Sequence, residues 1–133
     1  MSGQELGTQE MRVLVVDDME VCYANLAGLR EVPGYNVQLD WAQTRSEALR
    51  VLGENPGFYD WVVSDYHLGI EDPEGGLGVI EGARNISSGI GIIAMSRENM
   101  ESKMLEEGAD RFMFKREIFN DFEGFLEVLQ GGR

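Results

Sequence analysis

Trp61-Val62-Val63-Ser64-Asp65-Tyr66-His67 is the stretch that decides the fold of this 133-residue chain. The β-branched and aromatic residues 61–63 favour a short strand that is buried on both faces, as in a parallel sheet. A core strand has no packing use for the carboxylate of Asp65, so we expect the strand to end there and to present that side chain to a crevice. In open α/β sheets, ligands bind outside the carboxyl ends of the strands. Asp65 is therefore a candidate site residue.

Composition places the chain among single-domain globular proteins. A length of 133 residues suits one core, and 43% hydrophobic with 26% charged residues is ordinary for such a domain. The formal net charge of −13 argues against binding to nucleic acid or to an anionic membrane, because both need clustered cations. Cys22 is the only cysteine, which excludes an intrachain disulfide and fits a reducing, cytoplasmic compartment. No apolar run approaches membrane-spanning length.

The rest of the chain alternates short apolar runs with helical patterns. Besides the run that ends at Asp65, strand patterns occupy residues 12–16, 35–41, 90–94 and 111–114, and helical patterns occupy residues 20–32, 44–52, 77–83, 98–107 and 118–129. Thr44 and Glu47 form a capping-box pattern at the start of the second helix.

Five strands that alternate with five helices predict an α/β fold with a single domain. We expect a doubly wound, five-stranded parallel sheet with helices on both faces and the flavodoxin-like strand order 2-1-3-4-5. The domain is expected to span residues 11–130, after a flexible leader of residues 1–10 and before a tail of residues 131–133.

Four of the predicted strands deliver polar side chains to the same edge of the sheet. Asp17 and Asp18 follow the first strand, Asp65 ends the third, Ser96 follows the fourth and Lys115 follows the fifth. Two like charges about 4 Å apart repel by about 4 kcal/mol at an effective dielectric of 20. Three carboxylates therefore need more positive charge than one lysine supplies, and a hard divalent ion, Mg²⁺ first, meets that need. A carboxylate nucleophile, a metal, a lysine and a hydroxyl are typical of phosphoryl transfer.

The sequence resembles the receiver domain of two-component response regulators, from Arg12 to about Leu129. The matching segments are, in order, Val13-Leu14-Val15-Val16-Asp17-Asp18, Val62-Val63-Ser64-Asp65, Ala94-Met95-Ser96, Glu107-Gly108-Ala109-Asp110 and Phe114-Lys115. Each segment is a weak signal alone, whereas their order and their placement on the predicted strands make the combination specific.

The resemblance implies a signalling protein that is phosphorylated on Asp65. The phosphoryl donor would be a sensor histidine kinase or a histidine phosphotransfer protein. Mg²⁺, for which Mn²⁺ or Ca²⁺ can substitute, would be held by Asp18, Asp17, Asp65 and the backbone carbonyl of His67. Chemistry beyond self-phosphorylation and self-dephosphorylation is not expected, so the chain would not be an enzyme in the usual sense.

The resemblance also implies how phosphorylation would be sensed. Ser96 would be the switch hydroxyl that moves to the acyl phosphate, and Lys115 would pair with that phosphate. Phe112 stands where the family usually has a switching Tyr or Phe. The fourth helix, fifth strand and fifth helix would then form the output face for a downstream protein target, on a monomer or weak dimer.

The chain departs from the family pattern at two places. Arg116 follows Lys115 where the family commonly has a proline, often after a cis bond. Because a cis bond before another residue costs about 2.5–4 kcal/mol, we expect a trans bond and an altered start of the fifth helix. The loop of residues 66–76 is longer than usual and carries three acidic residues, which suggests partner specificity or altered access to Asp65.

Simpler roles exist for three residues taken singly. Ser96 alone would be the N-cap of the following helix, although it could serve both roles. His67 fits an exposed loop histidine, with tuning of the phosphoryl lifetime or metal ligation by its side chain as the alternative. Cys22 lies on a core stripe and fits a small buried hydrophobe.

Other functional classes fit the sequence less well. A degenerate receiver, which binds partners without phosphorylation, is left open by Arg116 and the long loop. A hydrolase of the haloacid dehalogenase type needs an Asp-x-Asp motif after the first strand, and Asp17-Asp18-Met19-Glu20 lacks it. A flavodoxin-like electron carrier needs a Ser/Thr/Gly-rich phosphate loop at the same place, which is also missing. The sequence therefore favours a phosphorylatable receiver.

Overall fold

The apolar runs form one parallel sheet in the computed structural model, which describes residues 10–132. The strands are β1 (Glu10–Val16), β2 (Asn36–Ala42), β3 (Trp61–Asp65), β4 (Gly91–Ser96) and β5 (Arg111–Phe114). Their order is β2-β1-β3-β4-β5, and every adjacent pair is parallel. The predicted order 2-1-3-4-5 is therefore confirmed. Its reversal falls between β1 and β3, where ligands of such sheets bind.

Helices cover both faces of this sheet. They are α1 (Glu20–Leu26), which continues as a 3-10 segment (Ala27–Glu31), α2 (Arg45–Glu54), α3 (Gly75–Ile86), α4 (Glu101–Glu107), α5 (Lys115–Asn120) and α6 (Phe122–Gly131). One core cluster joins the sheet to α2, α3 and α4, and the other joins it to α1, α5 and α6. Alternate residues of one strand serve the two clusters, since Val62 packs in the first and Val63 in the second.

The strand register brings the predicted site residues to one edge. The partners at the strand ends are Val16 with Ser64, Asp65 with Met95, and Ser96 with Phe114. Asp17 follows β1 at the level where Asp65 ends the neighbouring β3. Lys115 follows β5 one residue beyond the partner of Ser96. The side chains from four strands can therefore meet without any long loop to carry them.

The end of the chain differs from the prediction. The apolar stripe predicts one final helix over residues 118–129, whereas the structure has two, separated by Asp121. Asp121 has φ −153° and ψ 77°, and its carboxylate accepts a hydrogen bond from the backbone N–H of Gly124 at 2.9 Å. This side-chain cap starts a new helix and interrupts the one that the stripe predicts.

At two other helices, side-chain capping determines the residue at which the helix begins. The Thr44 hydroxyl accepts from the Glu47 backbone N–H at 3.1 Å, as the capping pattern predicts, but the Glu47 carboxylate accepts from Gln43, not from Thr44. The fourth helix begins at Glu101, three residues later than predicted, where Asn99 Oδ1 accepts from the Glu101 N–H at 3.1 Å.

The described residues, 10–132, include the whole expected domain of residues 11–130 and only small parts of the expected leader and tail. Residues 1–9 of the expected leader and Arg133 of the expected tail lie outside it. Glu10 is already the first residue of β1, and Gly131 is the last residue of α6. None of the helices within residues 10–132 is both long and apolar enough to cross a membrane.

Candidate functional site

Three aspartates meet at the carboxyl edge of the sheet. One carboxylate oxygen from each of Asp17, Asp18 and Asp65 lies within 4.8 Å of the other two. Asp17 is fully buried, Asp65 is 6% exposed, and Asp18 is half-buried. Ionised carboxylates this close repel one another, and burial removes the water that would screen them. The arrangement therefore requires compensating positive charge.

Lys115 supplies part of that charge. Its Nζ lies 2.9 Å from Asp17 Oδ2 and 2.9 Å from Asp65 Oδ2, and the side chain is buried. Burial by itself would lower the pKa of this ammonium, but the two carboxylates outweigh burial and raise the pKa above its usual 10.5. Lys115 is thus protonated at neutral pH. Three ionised carboxylates and one ammonium leave the cluster with a net charge of −2.

The ion pair with Lys115 does not fully compensate the burial of the Asp65 carboxylate. Burial raises the pKa of its carboxyl above the usual 3.8, Lys115 lowers it in part, and the charge of Asp17 raises it further. The raised pKa shows that one lysine does not offset the burial of this carboxylate. A further cation beside Asp65 would favour its ionised form.

The donor set fits a hard divalent cation. Asp17 Oδ1 accepts a hydrogen bond from the Met19 backbone N–H at 2.9 Å. Asp17 Oδ2 accepts no well-aligned hydrogen bond within residues 10–132, and its contact with Lys115 is an ion pair. This single ion pair leaves the oxygen with lone pairs for a second cation. Clustered carboxylate oxygens are the ligands that Mg²⁺ and Ca²⁺ prefer, so the residues present suit such an ion.

His67 lies in the loop after β3, with its side chain exposed as predicted. Its Nδ1 accepts a hydrogen bond from the backbone N–H of Gly69 at 3.3 Å. His67 contributes no side-chain atom to the aspartate cluster within the described part of the chain. The role of its backbone carbonyl as a metal ligand stays a prediction.

Ser96 ends β4 and is buried beside the cluster. Its Oγ accepts a hydrogen bond from the Glu98 backbone N–H at 3.1 Å. Because α4 begins only at Glu101, the simpler prediction that Ser96 caps this helix is wrong. The bond to Glu98 uses an acceptor lone pair and leaves the hydroxyl hydrogen for another partner.

β5 carries two phenylalanines on one face of an edge strand. Phe112 is half-buried, and its ring lies edge-on to Phe114, with centroids 5.2 Å apart. The guanidinium of Arg116 lies 4.3 Å from the centroid of the Phe114 ring. The described residues contain no cis peptide bond, so the Lys115–Arg116 bond is trans as expected, and α5 begins directly at Lys115.

The long loop of residues 66–76 is held by side-chain contacts with two helices. The Tyr66 hydroxyl donates to Glu74 Oε2 at 2.8 Å, and Lys103 of α4 lies 3.6 Å from the same oxygen. Arg45 of α2 forms an ion pair with Asp72 at 2.9 Å. These contacts link Tyr66, the residue after Asp65, to α4 through Glu74, and link the middle of the loop to α2 through Asp72.

Gly76 closes the loop against the end of β3. Its N–H donates to the Tyr66 carbonyl at 2.9 Å. A Cβ at position 76 would collide with the Asp65 carbonyl oxygen and the Tyr66 Cα. Only glycine lets α3 begin this close to the candidate phosphoacceptor.

A crevice of about 600 Å³ opens onto the cluster between this loop and the residues after β4. Asp18, Asp65, Ser96 and Lys115 line it, whereas the fully buried Asp17 does not, so the structure brings four of the five sequence-predicted polar side chains to one accessible space. Phe112 is not among the residues lining the crevice. The arrangement has room for a phosphate-sized group beside Asp65.

Two neighbours of the site were missed from sequence. Cys22 Sγ lies 3.6 Å from Lys115 Nζ, and the Trp41 indole N–H donates to the Asp17 carbonyl oxygen at 2.8 Å. Burial, and after it the charge of Asp17, raises the pKa of the Cys22 thiol. The apolar stripe correctly placed Cys22 inside the protein, but only the three-dimensional packing shows which group it faces.

Comparison with known proteins gives matches by structure alone. No protein-family model and no curated protein matches the chain. A LuxR-family two-component response regulator from an Aurantimonas species matches with a TM-score of 0.75 and 25% identity, over 94% of this chain and 89% of that one. The HemR receiver domain of Leptospira biflexa matches with a TM-score of 0.71 and 26% identity, over 90% and 93%. The RcsB response regulator of Salmonella typhimurium matches with a TM-score of 0.70 and 16% identity, and there 92% of this chain covers only 60% of the other.

Proposed function

We propose that this chain, whose fold is that of response-regulator receiver domains, is a phosphorylation-dependent signalling switch. Asp65 accepts a phosphoryl group from a sensor histidine kinase or a histidine phosphotransfer protein, with Mg²⁺ bound. The α4-β5-α5 face then changes and binds a downstream protein. The observation that carries this proposal is the buried ion pair of Asp65 and Lys115 beside two further carboxylates, at a crevice open to solvent.

In the transfer step, a carboxylate oxygen of Asp65 attacks phosphorus while the bond from phosphorus to the donor imidazole nitrogen breaks. The products are an acyl phosphate on Asp65 and a free imidazole. Asp17, Asp18 and Asp65 are the residues that would hold Mg²⁺, and the ion would supply positive charge that offsets the phosphoryl oxygens.

Lys115 and Ser96 are suited to recognise the product. The Lys115 ammonium already lies 2.9 Å from an Asp65 oxygen, so it can pair with a phosphoryl oxygen attached there. The Ser96 hydroxyl hydrogen can donate to a second phosphoryl oxygen, because its hydrogen bond with Glu98 uses only a lone pair. An acyl phosphate adds roughly two negative charges, which these donors would meet.

The position of Lys115 explains how this chemistry could reach the output face. Lys115 follows β5 directly and is the first residue of α5. A shift of its ammonium toward a phosphoryl oxygen would bias the packing of α5 and of the edge strand that carries Phe112. Allosteric couplings of this kind are typically about 1–3 kcal/mol, enough to shift an existing equilibrium between conformations.

The alternative function is that of a degenerate receiver, which binds its partner without phosphorylation. The tethered loop of residues 66–76 favours it, because the loop is held by ion pairs with α2 and α4 that involve none of the predicted site residues. The buried cluster favours phosphorylation, since a pure docking module has no use for three carboxylates around one lysine.

The deciding experiment is intact-mass measurement after incubation with a small acyl phosphate and Mg²⁺. We expect a single phosphoryl adduct that is lost in Asp65→Asn and without the metal. Asp60→Asn is the matched control, because Asp60 is exposed at the opposite end of β3 and should leave the adduct intact. No adduct in any sample would favour the degenerate receiver, and an adduct that survives in Asp65→Asn would identify a different acceptor.

A further inference from the structure

Cys22 contributes a third contact to the Lys115 ammonium. The two residues are 3% and 5% exposed, and Sγ lies 3.6 Å from Nζ. The thiol comes from α1, whereas the carboxylates that flank the same ammonium come from the ends of β1 and β3. Three structural elements therefore converge on one nitrogen atom.

Two of these three contacts, those with Asp65 Oδ2 and Cys22 Sγ, are hydrogen bonds, and the third is the ion pair with Asp17. A protonated lysine has three N–H donors and no acceptor. Asp17 Oδ2 and Asp65 Oδ2 each lie 2.9 Å from Nζ, and the Cys22 sulfur lies near the distance of a weak N–H···S hydrogen bond. Because Lys115 is buried, water cannot readily replace a lost partner.

We propose that Cys22 is a positioning residue for Lys115: its sulfur accepts one N–H of the ammonium and helps to hold it between Asp17 and Asp65. The contact between Cys22 and Lys115 is independent of the proposed function. Its effect on phosphorylation rests on that function. An apolar side chain at position 22 would leave one ammonium hydrogen without an acceptor and let Lys115 settle elsewhere.

The weakness of a sulfur acceptor suits the proposed reaction. Lys115 has to transfer one hydrogen bond from the Asp65 carboxylate to a phosphoryl oxygen. A strong third acceptor, such as another carboxylate, would compete with that oxygen, whereas a thiol holds the hydrogen without competing strongly. Cys22 thus orients the Lys115 ammonium without preventing its movement toward a phosphoryl oxygen.

The contact can be tested without any phosphorylation. Lys115 and Lys103 are the only lysines, so lysine labelled with ¹⁵N gives two ammonium resonances, and Lys103 is exposed. We expect Cys22→Val, an apolar side chain of similar size, to shift or broaden the Lys115 resonance and to leave that of Lys103 unchanged. Cys22→Ser, which restores an acceptor, should restore a slowly exchanging Lys115 signal.

Leu26→Val is the matched control, since Leu26 is the other buried residue of α1 and packs in the core cluster. It should leave both resonances in place. A Lys115 resonance that is the same in wild type, Cys22→Val and Cys22→Ser would overturn the proposal. If Cys22→Val does not fold, Cys22→Ala provides the apolar comparison.

The consequence for the reaction is tested by the rate at which the phosphoryl adduct forms. We expect Cys22→Val to slow adduct formation by roughly three- to tenfold, the scale of one weak hydrogen bond, and Cys22→Ser to return it to within about twofold of wild type. Equal rates in wild type and Cys22→Val would also refute a positioning role in the reaction. If wild type forms no adduct, the proposed function fails, and the lysine resonances still decide whether Cys22 positions Lys115.

Discussion

The indole N–H of Trp41 donates a hydrogen bond to the backbone carbonyl oxygen of Asp17 at 2.8 Å. The indole also stacks on the Tyr23 ring, with centroids 5.2 Å apart and planes 4° from parallel. The other tryptophan, Trp61, starts β3 and donates to the Leu129 carbonyl at 3.2 Å, about 13 Å of strand away from Asp65. The chain thus has one tryptophan beside the candidate metal site and one remote from it.

The first prediction uses this difference between the two tryptophans. We expect Mg²⁺ to change the fluorescence of Trp41, because an ion on the Asp17 carboxylate alters the electric field at the indole that is bonded to the same residue. The response should persist in Trp61→Phe and in the Asp60→Asn control. A titration response that survives in Trp41→Phe would contradict the assignment, and its loss in Asp17→Asn would support the site.

The second prediction concerns the removal of the buried cation. Lys115→Ala leaves two buried carboxylates without their partner, so we expect metal-free protein to lose about 3–5 kcal/mol of unfolding free energy. Mg²⁺ binding should be retained and should restore much of that stability, while phosphorylation should no longer change partner binding. Urea unfolding with and without Mg²⁺ measures the change in unfolding free energy.

Lys103→Ala is the control, because it removes the exposed lysine and should change the unfolding free energy little. An equal loss in both variants would argue against the buried ion pair.

The third prediction is a pH dependence set by Asp65. Burial raises the pKa of Asp65, so the folded state holds a proton on this carboxyl more tightly than the unfolded chain does. Its contribution to stability is fully present below the usual 3.8 and is lost as the pH rises through the raised value. In metal-free buffer at pH 7 we therefore expect Asp65→Asn to be more stable than wild type, by about 1 kcal/mol.

That difference in unfolding free energy should shrink as the pH is lowered from 7 toward 4, and Mg²⁺ should reduce it at pH 7. Chemical denaturation at several pH values measures it. A gap that is independent of pH, or a less stable Asp65→Asn at pH 7, would show that Lys115 fully compensates Asp65.

The fourth prediction concerns the long loop. The Tyr66 hydroxyl, and after it Lys103, lowers the pKa of Glu74 below the usual 4.5, so these contacts persist above that pH and are lost as the pH falls through the lowered value. At pH 7, Glu74→Gln should speed hydrogen exchange of backbone amides in residues 66–76 without changing global stability appreciably. Glu71→Gln, an exposed substitution in the same loop, should leave the exchange unchanged. Identical exchange in both variants would show that Glu74 does not hold the loop.

The fifth prediction compares two glycines. Gly76→Ala places a methyl group against the backbone of Asp65 and Tyr66, so we expect it to cost about 2 kcal/mol or more. Gly53→Ala lies in α2 with open space around the new methyl group, and it should stabilise the protein by about 0.5–1 kcal/mol. Thermal unfolding of both variants is sufficient. A neutral Gly76→Ala would mean that α3 can withdraw from the end of β3 at no cost.

The sheet and the aspartate cluster could be predicted because their determinants are local. Asp17 directly follows the buried apolar run of β1, Asp65 ends that of β3, and Lys115 directly follows the short apolar strand β5. Parallel strands place these ends on one edge, so three-dimensional proximity follows from position along the chain.

Contacts that depend on packing between distant elements could not be predicted in this way. Cys22 in α1 contacts the Lys115 ammonium, and Trp41 in β2 contacts the Asp17 carbonyl oxygen. The sequence around Cys22 and Trp41 does not indicate either contact. The helix break at Asp121 was missed for a related reason, because the apolar stripe continues through it and only the bond to Gly124 marks the new start.

The break at Asp121 also divides the end of the chain mechanically. α5 is six residues long, about 9 Å, and its first residue is Lys115, whereas a continuous helix to Gly131 would measure about 25 Å. Phe125 and Leu126 of α6 are almost entirely enclosed in the core and hold that helix in place. We therefore expect a displacement of Lys115 to be carried by the six residues of α5 and to end at Asp121, while the buried residues of α6 keep that helix in place.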